Sequence, residues 1–278
     1  MFPGATATQG ASYGIVGAPL DVSTTFQPGT RFGPERVRTF ARTFDDYDWR
    51  TDQYFSELGV ADHGDVRAWD DAVEYLHHLE GELREVVIDG GVPLTIGGEH
   101  TVTAAGVRAT DPDLFVCLDA HLDLRSEYDG NPHSHACVTR HVLEVVEEAV
   151  ILGARTGSEE EWERASEDDV TVVAPEDVRE WVEAIGSGEE EPFAGRETYL
   201  SVDIDGADPG FAPGTGTKEP FGLHPREMRD VVRLAAPQCI GFDVVEVNDR
   251  DDGQAAALAG KLLREFVYEH ARAARERE

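Results

Sequence analysis

The run Asp119-Ala-His121-Leu-Asp123 sets three side chains of metal-ligand type at alternate positions, and Asp203-Ile-Asp205 repeats the device further along. Each pattern follows a short apolar run, Leu114–Ala120 and Thr198–Ile204. If the chain stays extended there, side chains at i, i+2 and i+4 share one face. A third run, Pro93–Gly97, leads into Gly97-Gly98-Glu99-His100, with His100 at the turn into a helix. A lone Asp after a strand usually caps a turn or a helix, and a lone His usually belongs to a core or a surface. Four Asp and two His at three strand ends are harder to dismiss. If they converge, the carboxylates cannot all stay ionised at close range without cations between them. Two divalent ions would balance four carboxylates, and the imidazoles would complete the shells. A carboxylate-rich set with some imidazole suits Mn or Mg, with Co and Zn as rivals in raw affinity.

Such residues need a scaffold, and the sequence alternates short β-rich runs with longer amphipathic ones. Tyr13–Ala18, Pro93–Gly97, Leu114–Ala120, Val150–Gly153, Val170–Val173, Thr198–Ile204 and Cys239–Val245 read as strands. Gly33–Thr43, Trp69–Asp89, Thr101–Ala109, Ser134–Glu148, Glu159–Glu167, Pro175–Ile185, Pro225–Ala235 and Asp252–Arg275 read as helices. Several strand runs are unbroken apolar stretches, as expected when both faces are covered. Repeated β-then-α order implies an α/β fold, a parallel sheet with helices on both sides. Ligands gather at the carboxyl ends of such strands, which is where the Asp and His fall. No linker or repeat interrupts the pattern, and residues 1–278 read as a single domain, with Gly186–Glu191 an exposed acidic loop.

Charge excludes several classes. There are 56 acidic residues against 24 basic ones, a net −32 at pH 7, and only Lys218 and Lys261 are lysines. Such a surface repels phosphate, so neither nucleic acid nor an anionic membrane is an expected partner. Acidity with almost no lysine is read as solubility in concentrated salt, hence a halophilic cytoplasm. Cys117, Cys137 and Cys239 are odd in number and widely spaced, which argues against a disulfide framework or a zinc knuckle. The start, MFPGATATQGAS, lacks the basic and apolar regions of a signal peptide. No apolar run approaches the roughly 20 residues of a membrane span. A soluble intracellular protein is expected.

Several segments together resemble the ureohydrolases, that is, arginases, agmatinases and their relatives. They are GGEH at Gly97–His100, DAHLD at Asp119–Asp123, SVDIDGADP at Ser201–Pro209, APGTGT at Ala212–Thr217 and FDVVEVN at Phe242–Asn248. GAPLD and GTRFGPERVR within Gly17–Arg38 also match, and the resemblance runs over roughly residues 13 to 270. It implies a three-layer α/β/α sandwich with a largely parallel eight-stranded sheet and two Mn²⁺, with Mg, Co or Zn as alternatives. By motif, one ion would take His100, Asp119, Asp123 and Asp203, and the other His121, Asp119, Asp203 and Asp205. Glu99 stands where the family often has Asp, Thr101 where Ser is frequent, Lys218 where Pro is common and Phe221 where Gly is common.

The implied chemistry is attack on a guanidinium carbon, a poor electrophile that needs water activated between two divalent ions. Asp123 would hold a metal and orient the attacking oxygen. His135 resembles the family's proton shuttle, whereas His133 and His141 match no motif position. Glu246 matches the carboxylate that pairs with the substrate guanidinium. The segment Arg125–Ala136 looks agmatinase-like and lacks the polar run with which arginases grip an amino acid. A small cationic guanidino substrate is therefore expected, agmatine giving putrescine and urea. Aminopropylagmatine, guanidinobutyrate, arginine and formiminoglutamate are alternatives. From other classes, a single-metal amide deacetylase and a non-catalytic subunit of the same fold are the competing readings. Resemblance also implies a homo-oligomer, trimer or hexamer; Asp252–Arg275, rich in Ala and Arg, reads either as an oligomer contact or as a solvated amphipathic helix.

Overall fold

A computed structural model describes residues 1–67 and 69–277. Its strands are β1 (Tyr13–Ala18), β2 (Tyr47–Asp48), β3 (Gln53–Tyr54), β4 (Val60–Asp65), β5 (Val92–Gly97), β6 (Leu114–Leu118), β7 (Glu148–Leu152), β8 (Val170–Val173), β9 (Thr198–Asp203) and β10 (Cys239–Val245). Its helices are α1 (Gly33–Ala41), α2 (Ala72–Ile88), α3 (Thr103–Thr110), α4 (Val138–Val142), α5 (Glu159–Arg164), α6 (Val178–Ser187), α7 (Pro225–Ala235) and α8 (Gln254–Arg277).

Eight strands pair in the order β4-β1-β5-β10-β9-β6-β7-β8, and every pair in that sheet is parallel. Crossover helices cover both faces: α1, α8, α7 and α6 pack in one layer, and α2, α3 and α4 in the other. Strand β6 shows why its sequence is apolar throughout. Leu114, Val116 and Leu118 enter the core shared with α7 and α8, whereas Phe115 and Cys117 enter the one shared with α4. Period-2 alternation thus feeds two cores rather than one core and solvent. The expected α/β/α sandwich with eight parallel strands is the observed architecture.

Three sequence expectations change. The run Val-Ala-Asp-His-Gly-Asp, which carries no strand signal beyond its first residues, forms β4; it is an edge strand, buried at Val60 and Ala61 and alternating between half-buried and exposed after them. The helix expected over Ser134–Glu148 is only α4, preceded by a 3-10 turn at His135–Cys137. It stops early because the N–H of Glu147 turns to the carbonyl of Asp113 at 3.0 Å, which starts the β6–β7 ladder. Helix α2 begins at Ala72 rather than Trp69, since the Asp71 carboxylate accepts the N–H of Glu74 and caps it.

Candidate active site

Four neighbouring strands at the middle of the sheet, β5, β10, β9 and β6, deliver the ionisable groups at their carboxyl ends. His100 lies in a 3-10 turn straight after β5. Asp119 is the first residue past β6, Asp203 the last of β9, and Asp205 sits in the 3-10 turn Ile204–Gly206. The chain does not stay extended through either Asp motif. Asp119 Oδ1 accepts the N–H of His121 at 2.7 Å, and Asp203 Oδ1 accepts that of Asp205 at 2.8 Å. These Asx turns curl each strand end, and Asp123 adds a left-handed residue at φ 50°. Asp119 and Asp203 each bind their own backbone through Oδ1 and turn Oδ2 towards His100.

The six side chains converge all the same. His100 Nδ1 is 3.0 Å from Asp123 Oδ2, 3.2 Å from Asp119 Oδ2 and 3.4 Å from Asp203 Oδ2. His121 Nδ1 is 3.2 Å from Asp205 Oδ2 and 3.5 Å from Asp119 Oδ1, so Asp119 belongs to both groups. Asp205 accepts the N–H of Ala120 at 3.2 Å and the hydroxyl of Thr217 at 2.9 Å. Gly206 permits this closeness, because a Cβ there would lie 2.9 Å from the Asp119 nitrogen. All six are buried except His121, which is half-buried.

Electrostatics follows from that crowding. Burial, Asp205 and Asp119 push the Asp203 carboxyl well above the usual carboxylate range. Burial and then Asp119 carry Asp123 up to about 6. Asp119 is held low against its burial by hydrogen bonds from His100 and His121. His100, pulled down by burial, is nonetheless raised well above an ordinary histidine by Asp119 and Asp123. The cluster demands positive charge, which protons on the imidazoles supply only in part. Its donors, carboxylate oxygens with two imidazole nitrogens, fit a pair of divalent cations. Asp119, His121 and Asp205 can bring their ligand atoms within 4.8 Å of one another, and so can His100, Cys117 and Asp119.

A second layer fixes the orientation of His100. Ser201 Oγ donates to Asp243 Oδ1 at 2.6 Å, and Tyr199 donates to Asp243 Oδ2 at 2.9 Å. The Ser201 oxygen is left to accept from His100 Nε2, 3.2 Å away, so Nδ1 is the nitrogen free for the centre. Cys117 Sγ lies 3.8 Å from the same Nε2. Sequence reasoning assigned no role to Ser201, Asp243, Tyr199 or Cys117. Ser201 and Asp243 nevertheless stand inside quoted motifs, at alternate positions from Asp203 and in the strand before Glu246.

His135 and Glu246 close the other side. Glu246 Oε1 accepts from His135 Nδ1 at 3.0 Å and from the His100 N–H at 2.9 Å. Among the described residues its Oε2 has no hydrogen-bond partner. Glu246 takes φ 60°, a strained value for a non-glycine residue, and its N–H donates to Gly98 O at 2.8 Å. His135 Nε2 faces Thr25, whose own segment is held by the buried Glu99. Burial lowers the His135 pKa, but Glu246, Asp123 and Glu99 bring it up to about 9.

A cleft of about 290 Å³ is lined by His121, Asp123, His135, Asp203, Asp205 and Glu246. Larger hollows, one beside β1 and α2 and one between α2, α3 and α4, hold none of these groups. His133 and His141 stack on each other at 5.4 Å and line the latter hollow, away from the cleft. At the rim, Lys218 Nζ donates to Thr215 O at 2.8 Å, and Phe221 adopts φ 69° with its N–H on Asp208 at 2.7 Å. The two departures of this loop therefore have settled places outside the metal-ligand cluster. Arg155 fastens it by donating to the carbonyls of Asp205 at 2.9 Å and Glu219 at 2.8 Å.

Comparison with known proteins gives concordant matches. The arginase family model matches residues 11–268. An agmatinase of Pyrococcus horikoshii is 34% identical over 261 residues, covering 91% of this chain and 90% of that protein. The N(1)-aminopropylagmatine ureohydrolase of Thermococcus kodakarensis is 34% identical over 264 residues, covering 91% and 88%. The solved agmatine ureohydrolase of Thermoplasma volcanium superposes with a TM-score of 0.91 at 32% identity, covering 100% of this chain and 96% of the other. The chain belongs to the arginase family, the ureohydrolases, whose enzymes depend on a binuclear metal centre.

Proposed function

We propose that this chain hydrolyses agmatine to putrescine and urea, with two divalent ions, manganese in the first instance, held by His100, Asp119, Asp123 and Asp203 and by His121, Asp119, Asp203 and Asp205. The observation that carries the reading is the meeting of these four carboxylates and two imidazoles, with Asp119 facing His100 through Oδ2 and His121 through Oδ1, Asp203 Oδ2 facing His100 and Asp205 Oδ2 facing His121. Ions bound there supply Lewis acidity and lower the pKa of nearby water. Glu246 Oε2 pairs with the guanidinium and aims its carbon, while Oε1 stays on His135 and the His100 backbone. Asp123 orients the attacking water. His135 holds the proton that the departing amine needs.

A cation suits this cleft. Glu161, Glu219 and Glu246 line it, and the nearby cation, Arg125, is already paired with Glu161 at 3.1 Å. Agmatine and aminopropylagmatine present the same guanidinium and an aliphatic amine, and relatives of equal identity carry both names. Residues 1–278 act as one catalytic domain in this reading. The chain works in a salt-rich cytoplasm, as the net charge of −32 favours, and assembles as a trimer or hexamer.

Urea release from agmatine, aminopropylagmatine, guanidinobutyrate and arginine, with added manganese at several salt concentrations, tests the proposal. Agmatine is expected to turn over fastest, and activity to fall with the salt. No urea from any of the four would end the reading, and preference for another would change the substrate. Unchanged stability between molar and millimolar salt would remove the halophilic part.

A further inference from the structure

The Ser23–Thr25 segment after β1 meets His135 in a way that the motifs do not specify. His135 Nε2 has two neighbours from one residue, the backbone N–H of Thr25 at 3.1 Å and the Thr25 hydroxyl at 3.0 Å. A backbone N–H can only donate. With the ring neutral, Nε2 must therefore present its lone pair to Thr25, and the proton sits on Nδ1, which donates to Glu246 Oε1 at 3.0 Å. With the ring protonated at both nitrogens, the N–H of Thr25 is no longer a partner, and only the Thr25 hydroxyl oxygen can accept from Nε2. One residue thus offers a donor to the neutral imidazole and an acceptor to the imidazolium.

The segment is held so that it can do this. The buried Glu99 carboxylate accepts the Ser23 N–H at 2.7 Å, the Ser23 hydroxyl at 2.8 Å and the Thr101 hydroxyl at 2.7 Å. Ser23 Oγ in turn accepts the backbone N–H of His135 at 3.0 Å. The Glu99 carboxylate reaches across from the turn after β5 to this segment. Charged groups that act on the ring are Glu246 after β10, Asp123 after β6 and Glu99 after β5; Ser23, Thr24 and Thr25 bring no charge of their own.

We infer that Thr25 is a positioning residue for His135, keeping the imidazole in one orientation in both protonation states and stabilising its protonated form through the hydroxyl. The inference rests on the proposed role of His135 as the proton donor. Thr25 itself exchanges no proton with the substrate in this account.

Thr25→Val keeps the branched shape and the backbone N–H but removes the acceptor; Thr25→Ser restores it. Losing a hydrogen bond to a charged group shifts the ring's titration by about one pH unit or more. The Val variant is therefore expected to titrate His135 about one unit lower, read from the ¹⁵N spectrum of histidine-labelled protein loaded with diamagnetic magnesium or zinc. It is also expected to lower kcat about tenfold with KM nearly unchanged, and to shift the kcat–pH profile in the same direction, while the Ser variant stays near wild type. Identical His135 titration in the Val variant and wild type would overturn the inference. So would a Ser variant that behaves like Val. If no guanidino compound releases urea but the titration still shifts, the proposed function fails and the positioning role stands.

Discussion

Replacing Gly98 by alanine attacks the point where two strand ends are stitched to the candidate centre. A Cβ on residue 98 would lie 1.9 Å from the Leu20 oxygen and 2.7 Å from its nitrogen, both backbone atoms. Carbon and oxygen need about 3.4 Å or more, so the segments after β1 and β5 must separate by about 1.5 Å. That movement breaks the bonds of Gly98 N to Ala18 O at 2.7 Å and Glu99 N to Leu20 O at 2.8 Å, and strains that of Glu246 N to Gly98 O at 2.8 Å. At about 1 kcal/mol net for each of the two broken hydrogen bonds, the cost is about 2 kcal/mol. For a chain of this size that is about 4 °C or more in Tm. His100 and Glu246 flank the disturbed residues, so manganese affinity measured by calorimetry should drop with the melting temperature. A Gly98→Ala variant with wild-type Tm and wild-type manganese affinity would refute the idea that this close approach positions the site.

Three other outcomes follow from the same geometry. Asp205→Ala should lose both bound metal and urea release, whereas His135→Ala should keep its metal and turn over more slowly; full activity in either variant removes that residue's role. Glu246→Gln keeps the shape but removes the charge that assists the pairing, and should raise KM for agmatine by about tenfold; an unchanged KM would mean the guanidinium is held elsewhere. Far from the cleft, the buried Asp62 carboxyl is raised by its burial but lowered more by Arg38, whose Nη2 and Nε each lie 2.8 Å from it, for a net value below the ordinary one. A carboxylate lowered on folding stabilises fully above its unfolded value of about 3.9, and that stability is lost as pH falls through the folded value. Wild type should therefore lose its advantage over Asp62→Asn in chemical denaturation below about pH 4; a constant difference down to pH 2 would contradict the pairing.

The fold was legible because its signal is physical and local. Runs such as Leu114–Leu118 and Thr198–Asp203 are apolar at successive positions because helices cover both faces. Strand β4 was not legible, since an edge strand open on one side needs no continuous apolar run and Val60–Asp65 ends in Asp, His, Gly and Asp. The six metal-type residues do meet in the structure, although not through the extended chain that a spacing of two residues also allows. Asx turns at Asp119 and Asp203 do that work, and a spacing of two residues is compatible with either geometry. The supporting layer was less visible. Ser201, Asp243 and Thr25 act through contacts between segments far apart in the chain, and nothing in their immediate neighbours announces them.

Counting bound ions tests the central claim most directly. Protein loaded with manganese, freed of excess by gel filtration and assayed for metal and chain concentration, should carry two ions per chain. Asp119→Asn, which weakens a ligand common to both groups, should carry markedly fewer. One ion or none in the wild type, or two ions undiminished in the variant, would contradict a shared binuclear centre at these strand ends.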